Sequence, residues 1–243
     1  MNYDQNVKLP NTTQIKEDEV HIWSAYLPDF KNYEAYFRSI LSKDEHERAA
    51  SFKFFEDNEQ FTFARAILRC ILSKYLGESP QEQEIIYGLW GKPCLPEEKL
   101  LHFNISHSRN YALYAVTRHY EVGVDLEYID KNLDFKNMSS VLFSQPELKH
   151  WKNLSPDNQV NFFFKAWVAK EAFLKAIGKG WLYEERQVPL NLSSFHKQDL
   201  RDGNLNSYVT YPYFFNIIPD FASGLYVKGP SMKVLFYHYN LKK

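Results

Sequence analysis

Cysteine, net charge and long apolar runs are all scarce in this sequence. Its 243 residues include only Cys70 and Cys94, and neither belongs to a CxxC or Cys/His cluster. We therefore expect neither a disulfide framework nor a zinc site. With 29 basic and 30 acidic residues, the chain lacks the basic field of nucleic-acid binders. No window approaches the roughly 18 consecutive apolar residues of a membrane span. These absences predict a cytoplasmic protein without nucleic-acid or membrane partners.

The chain has ample material for a core, because 44% of its residues are hydrophobic and 17% are aromatic. Residues 1–19 are polar, with only scattered hydrophobic residues, and are expected to form a flexible leader. The remainder alternates strand-like and helix-like patterns, which predicts an α+β fold.

Three kinds of segment recur in the same order at a spacing of about one hundred residues. They are a strand (residues 20–22 and 122–124), a Ser-x-x-Glu capping box (Ser42 and Ser144) and a long helix ending in glycine (Gly77 and Gly178). The repeat predicts two similar lobes, residues 20–120 and 121–243, related by a pseudo-twofold axis. Each would be a small, mainly antiparallel sheet with a long helix packed on it. The alternative is that amphipathic helices of similar composition align by accident.

Asp125 and Glu127 lie two positions apart in the apolar run of residues 122–127. On a strand both carboxylates would lie on one face. Acidic residues are uncommon in strands, so this arrangement favours half of a divalent-metal site. The matching positions of the first repeat hold Trp23 and Ala25, and the site is therefore expected once.

Glu171 and Lys175 are i,i+4 neighbours on the second long helix, where a lone pair of this kind is usually a solvent-facing ion pair. Here an apolar stripe would dock the helix near Asp125 and Glu127. Three oxygen ligands without clustered imidazole or thiolate favour Mg²⁺, which commonly takes further ligands from a substrate phosphate. The sequence thus predicts a phosphate-containing substrate.

Two short segments carry groups suited to phosphate. Gly91-Lys92-Pro93 combines a flexible residue with a cation, although a tight turn with an exposed lysine has the same pattern. Ser106-His107 offers hydrogen-bond donors, although an isolated histidine is more often a capped loop residue.

Arg65 and Arg69 share a helix face at i,i+4, where like charges repel unless an anion lies between them. This slightly favours a polyphosphate partner. The alternative is that these arginines and Arg48 simply solvate helix faces.

As an ordered set, four segments resemble the surfactin-synthetase type of 4'-phosphopantetheinyl transferases. They are Gly91-Lys-Pro93, Phe103-Asn-Ile-Ser-His-Ser108, Gly123-Val-Asp-Leu-Glu127 and Trp167-Val-Ala-Lys-Glu-Ala172. The resemblance runs from about residue 42 to 179, and more weakly to the end. It implies a two-lobed pseudodimer, a monomer in solution, that transfers 4'-phosphopantetheine from coenzyme A to a serine of an apo acyl or peptidyl carrier protein. Adenosine 3',5'-bisphosphate would be released.

The resemblance also implies roles for individual residues. Asp125, Glu127 and Glu171 would hold Mg²⁺ on the CoA pyrophosphate, with Glu171 assisting deprotonation of the serine. Lys175 and Lys170 would stabilise charge on the pyrophosphate. The residues on the nucleotide side would be Lys92 and Pro93 near the adenine, and Ser106, His107 and Arg48 around the 3'-phosphate. Arg65, which lies in the family's Ala-Arg helix pattern, would also bind the cofactor. Glu45 and Phe61 depart from the pattern of some relatives, so no role is carried over to them.

Other readings stay open at this point. A noncatalytic CoA- or nucleotide-binding module would keep the same fold, and another Mg²⁺-dependent enzyme could act on a nucleotide pyrophosphate. Fatty-acid, polyketide and nonribosomal peptide pathways all supply carriers. For carrier docking, the sequence suggests an apolar patch over residues 135–143, formed by Met138, Val141, Leu142 and Phe143, which are otherwise core residues.

Overall fold

Helices and strands mix throughout the described chain, which confirms the α+β class. The structure is a computed structural model that describes residues 13–178, 188, 190, 213–230 and 232–241. The strands are β1 (Glu19–Tyr26), β2 (Ile86–Tyr87), β3 (Pro93–Cys94), β4 (His102–Ser108), β5 (Tyr111–Thr117), β6 (Val122–Tyr128), β7 (Tyr213–Phe215), β8 (Phe221–Val227) and β9 (Lys233–His238). The α-helices are α1 (Glu34–Ser39), α2 (Lys43–Ala50), α3 (Phe55–Leu76), α4 (Phe135–Leu142), α5 (Gln145–Lys152) and α6 (Pro156–Ile177).

One compact unit contains helices α1 to α3, within residues 26–84. The long helix α3 packs against both shorter helices, and Phe37 meets Phe63 edge-on with ring centroids 5.7 Å apart. Helix α3 ends at Gly77, whose φ of 70° is the left-handed conformation typical of a helix C-cap.

The second unit, which comprises Lys16–Ala25 and Ile85–Asn240, contains the strands found among the described residues, apart from Tyr26 at the end of β1. Its larger sheet has the order β4-β5-β1-β9 and its smaller sheet the order β6-β8-β7, while β2 and β3 form a separate hairpin. Strands β1 and β9 pair in parallel, whereas β4–β5, β6–β8 and β7–β8 are antiparallel. Val122, Val124 and Leu126 point from β6 into a core cluster shared with β1, β5, β8 and β9.

Strands β4 and β6 are joined by side chains. The amide of Val124 donates to the side-chain oxygen of Asn104 at 2.9 Å. Two residues on, the amides of Leu126 and Tyr128 donate to the hydroxyls of Ser106 (3.3 Å) and Ser108 (3.1 Å). Short polar side chains at every second position of β4 thus satisfy backbone groups at the edge of β6. They fix the position of β6, which carries Asp125 and Glu127.

Helix α6 lies on the same face of β6 as these two acids. A Cβ atom at Gly123 would lie 1.9 Å from the carbonyl oxygen of Ala172, and one at Gly224 would lie 2.3 Å from that of Val168. Only glycine leaves room for so close a backbone approach. The helix therefore runs directly over the strand. Glu171 and Lys175 of α6 thus lie on the face of β6 that carries Asp125 and Glu127.

Several sequence expectations concern the lobes. The two repeated 22-residue helices end at Gly77 and Gly178 as predicted. The expected boundary between residues 120 and 121 lies inside the second unit, so the pseudo-twofold arrangement stays a prediction. Of the expected leader, residues 1–12 lie outside the described residues, while Ile15 is buried and β1 already begins at Glu19. No helix among the described residues is long and apolar enough to cross a membrane.

Candidate functional site

Asp125 lies at the centre of a polar cluster between β6 and α6. Only 3% of the residue is exposed. Its Oδ1 accepts hydrogen bonds from the Lys175 ammonium at 2.5 Å and from the Ser106 hydroxyl at 2.9 Å. Its Oδ2 is buried and has no hydrogen-bond partner among the described residues. A buried carboxylate oxygen without a partner is costly, and a cation bound there would remove that cost.

Ser106 has no hydrogen-bonding capacity left over. Its hydroxyl proton goes to Asp125, and its oxygen accepts from the Lys175 ammonium at 2.9 Å and from the amide of Leu126 at 3.3 Å. One donor and two acceptor sites are all that a serine hydroxyl offers. The structure therefore makes Ser106 a positioning residue for Asp125 and Lys175.

Glu127 lies next along the same face of β6. It accepts a hydrogen bond from Ser108 at 3.3 Å. Burial raises the pKa of Glu127 to about 7, with the nearby charges of Asp125 and Glu171 adding to the rise. Glu127 thus lies close enough to the other two predicted acids to be repelled by their charges, while Lys175 partly offsets the effect.

The chemistry of these donors fits Mg²⁺, which prefers carboxylate oxygens. The open Oδ2 of Asp125 is a suitable ligand atom, and the repulsion at Glu127 would be relieved by a dication. Among the described residues, however, no group of three or more His, Cys, Asp or Glu side chains is already arranged around a metal position.

Lys92 is held by protein groups. Its ammonium donates to the Glu121 carboxylate and, at 2.9 Å, to the carbonyl oxygen of Ala176 in the last turn of α6. Hydrogen bonding to His102, together with the Lys92 charge, lowers the pKa of Glu121 to about 2, although burial works in the opposite direction. A cation at this position stabilises the helix C-terminus.

Lys92 also borders a cavity of about 500 Å³ together with Trp90, His102, Glu121, Gly178 and Lys228. Pro93 begins strand β3 beside it.

Lys170 does not join the cluster of acids. Its side chain is completely buried, and its ammonium lies 2.7 Å from Glu147 Oε2 and 3.0 Å from the carbonyl oxygen of Leu142. An ammonium enclosed in this way is not open to a pyrophosphate. We therefore correct the expectation for Lys170, which ties α6 to the end of α4 and to α5.

The anion between Arg65 and Arg69 is a residue of the chain itself. Glu45 Oε2 lies 2.7 Å from Nε of Arg69, and Glu45 Oε1 lies 3.5 Å from Nε of Arg65. The like charges on α3 are thus explained without a polyphosphate. Arg48 is exposed, and its guanidinium and that of Arg65 lie 5.6 and 5.5 Å from the centroid of the Phe61 ring.

Comparison with known proteins decides the family. Residues 121–220 match the family model of the 4'-phosphopantetheinyl transferase superfamily, and residues 23–119 match that of the 4'-phosphopantetheinyl transferase N-terminal region. The 4'-phosphopantetheinyl transferase HetI of Nostoc sp. is 39% identical over 176 residues, which cover 71% of this chain and 74% of HetI. The chain belongs to the 4'-phosphopantetheinyl transferase superfamily.

Two further relatives differ in how much they share. The Synechocystis sp. protein slr0495 is 33% identical over 59% of each chain, so less than two thirds of that relative is spanned. The 4'-phosphopantetheinyl transferase Sfp of Bacillus subtilis is 27% identical over 79% of this chain and 77% of Sfp. The predicted enzyme class is confirmed. The narrower surfactin-synthetase type stays a prediction.

Two further expectations concern His107 and the suggested carrier-docking patch. His107 is exposed on β4, in the position alternate to the buried Ser106, and contact with a phosphate stays a prediction. In the suggested docking patch, Val141 is 65% exposed, whereas Leu142 (6%) and Phe143 (2%) belong to the core. The patch is therefore much smaller than expected.

Sequence reasoning missed four residues that build the site. Asn104 and Ser108 join β4 to β6, while Glu121 contacts Lys92 and is itself contacted by His102. A signal for the first two exists, because small polar residues at positions 104, 106 and 108 alternate with period two along a strand. No local pattern marks the other two.

Proposed function

We propose that this chain transfers the 4'-phosphopantetheine group of coenzyme A to a serine of an apo acyl or peptidyl carrier protein and releases adenosine 3',5'-bisphosphate. The observation that carries the proposal is Asp125, a buried carboxylate that contacts Lys175 through one oxygen and whose second oxygen has no partner within the described part of the chain. The family and the name of HetI support the same reaction.

The reaction needs charge control around a pyrophosphate. The serine oxygen attacks the phosphorus that carries the pantetheine arm, and the bond from that phosphorus to the bridging oxygen breaks, so negative charge develops on the departing nucleotide. In this proposal Lys175 stabilises that charge. It is 30% exposed, unlike the buried Lys170.

The serine proton requires an acceptor. Glu171 and Glu127 are the candidate bases, because both are carboxylates at the cluster and the pKa of Glu127, about 7, matches general acid–base work near neutral pH. We assign proton acceptance to Glu171, as the resemblance implies, with Glu127 and the Oδ2 of Asp125 as further ligands of a cation. Bound Mg²⁺ supplies charge neutralisation on the pyrophosphate.

On the nucleotide side, the cavity beside Lys92 would receive the adenine end of CoA. Its lining offers an aromatic ring at Trp90 and cationic side chains at Lys92 and Lys228. Lys92 acts there chiefly by holding the cavity wall to the end of α6. Arg48, exposed beside Phe61, stays a proposed contact for the 3'-phosphate.

The test is transfer itself. Purified protein, CoA, Mg²⁺ and an apo acyl carrier protein are incubated, and the carrier is examined by mass spectrometry. We expect a phosphopantetheine adduct on the carrier serine that EDTA abolishes and that Asp125→Asn reduces at least a hundredfold, a loss typical of catalytic charge stabilisation. Asp157→Asn, at an exposed aspartate in the first turn of α6, is the matched control and should keep full activity. Cleavage of CoA without an adduct would contradict the proposal.

A further inference from the structure

Arg109 occupies a turn position that favours glycine. Ser108 pairs with Tyr111, so Arg109 and Asn110 form a two-residue loop between β4 and β5. The φ of Arg109 is 49°, in the left-handed region. Tight hairpins commonly place glycine at such a position, because a Cβ atom is strained there. The chain thus carries an exposed arginine where glycine would fit the backbone better.

The guanidinium of Arg109 is supported by an aromatic ring. Its central carbon lies 3.2 Å from the centroid of Tyr128, which is the geometry of a stacked cation–π contact. Tyr128 in turn packs edge-on against Phe221, with ring centroids 5.4 Å apart. The charge is therefore held in a defined place on an exposed turn.

This turn lies beside the acidic cluster. Ser108, which precedes Arg109, bonds to Glu127, which precedes Tyr128. Side chains alternate along a strand, so Glu127 and Tyr128 project from opposite faces of β6. A guanidinium stacked on Tyr128 therefore lies on the other face of β6 from the acids and does not reach into the cluster. This placement suits contact with a large partner better than contact with the reacting phosphate.

The two ends of β6 differ in character. Lys92 and its cavity meet the beginning of the strand, where the Lys92 ammonium contacts Glu121. Arg109 lies at the other end, about 20 Å away along the strand at 3.3 Å per residue. Asp125 lies between them. With the nucleotide at the Lys92 end, an acceptor reaches the cluster from the end that carries Arg109.

We propose that Arg109 is a docking residue for the acceptor protein, pairing with a carboxylate that flanks the acceptor serine. The inference rests on the proposed function. An arginine offers a planar donor fork that matches a carboxylate. A charge pair at the rim of an interface mainly affects encounter and affinity, so the residue acts on binding of the acceptor and leaves the chemical step unchanged.

The variant Arg109→Gly tests this directly, because glycine suits the left-handed backbone and removes the guanidinium together with its contact to Tyr128. We expect the KM for an apo acyl carrier protein to rise about tenfold, with kcat and the KM for CoA unchanged and the melting temperature equal or higher. The matched control is His119→Gly, which changes a second left-handed residue (φ 63°) in the β5–β6 turn. It should leave both KM values unchanged. Added salt should raise the carrier KM of the unmodified protein more than that of Arg109→Gly.

The outcomes separate the two proposals. If the unmodified protein transfers the group but Arg109→Gly keeps its carrier KM, the docking role is overturned and the proposed function stands. A raised KM for CoA in Arg109→Gly would also overturn it, since the residue would then contact the donor. If the unmodified protein modifies no carrier, the proposed function itself fails.

Discussion

Lys170 and Glu147 form a buried ion pair, with the lysine ammonium 2.7 Å from Oε2 of Glu147. The same Oε2 accepts a hydrogen bond from the amide of Ser144 at 2.9 Å, at the start of α5. The first unit contains the same arrangement: Glu45 bonds Arg69 at 2.7 Å and the amide of Ser42 at 3.0 Å. In each case a capping-box glutamate is neutralised by a cation of the following long helix. The two segments that recur in the sequence thus also share this ion pair between a capping-box glutamate and a long helix.

Removal of the Lys170 ammonium should therefore lower the stability of the fold and have little direct effect on CoA binding. In Lys170→Met, the carboxylate of Glu147 loses its cation in a buried position, and we expect a loss of about 3–5 kcal/mol in the free energy of unfolding. Urea denaturation followed by tryptophan fluorescence measures it. Adding Glu147→Gln to this variant should restore part of the loss. A variant with unchanged stability but weakened CoA binding would instead return Lys170 to the ligand site.

Gly123 allows helix α6 to lie against β6, and a single methyl group should disturb it. In Gly123→Ala the new Cβ would meet backbone atoms of Ala172 and Ala176 at 1.9 and 2.5 Å. Backbone cannot move aside as a side chain does, so we expect a loss above about 3 kcal/mol, beyond the usual range for overpacking.

Thermal unfolding measures the effect of Gly123→Ala, and transfer activity should fall with it because α6 carries Glu171 and Lys175. Gly88→Ala is the control, since its nearest contact is an ordinary 3.6 Å. Equal melting temperatures for the two variants would show that the helix is not held by this close approach.

Local features of the site were predictable from the sequence. A period of two places Asp125 and Glu127 on one face, and a spacing of four aligns Glu171 with Lys175. Contacts between distant segments were not. The spacing of Arg65 and Arg69 correctly predicted that an anion lies between them. That anion is Glu45, which comes from another helix and could not be identified from the sequence. Lys170 and Lys175 have equal chemistry in the sequence, and only packing distinguishes the buried ammonium from the accessible one.

Ser106 and His107 are neighbours with contrasting roles, which a pair of variants separates. Ser106→Ala leaves the buried amide of Leu126 without its acceptor, and we expect a loss of about 1–3 kcal/mol in stability together with lower kcat, because Asp125 and Lys175 lose a shared partner. His107→Ala changes an exposed side chain and should leave stability within about 0.5 kcal/mol.

If His107 contacts the 3'-phosphate, the KM for CoA should rise in His107→Ala and stay unchanged for dephospho-CoA, which lacks that group. Steady-state kinetics with both donors measure this. Equal effects on the two donors would remove His107 from the phosphate contacts.

The raised pKa of Glu127 gives the metal-free protein a characteristic dependence on pH. In the folded state this carboxyl titrates at about 7, against 4.5 for an unperturbed glutamate. Between these values the folded protein holds a proton that the unfolded chain has released, so the free energy of unfolding contributed by Glu127 falls as pH rises from about 5 to about 8. Glu127→Gln carries no such titration and should lose less stability over the same interval. Urea unfolding of both proteins in EDTA at the two pH values provides the comparison.

A dication at the cluster should oppose this loss of stability. MgCl₂ is therefore expected to stabilise the unmodified protein more at about pH 8 than at about pH 5, and to act weakly on Glu127→Gln. Parallel pH profiles of the two proteins would show that Glu127 titrates as an ordinary exposed carboxyl.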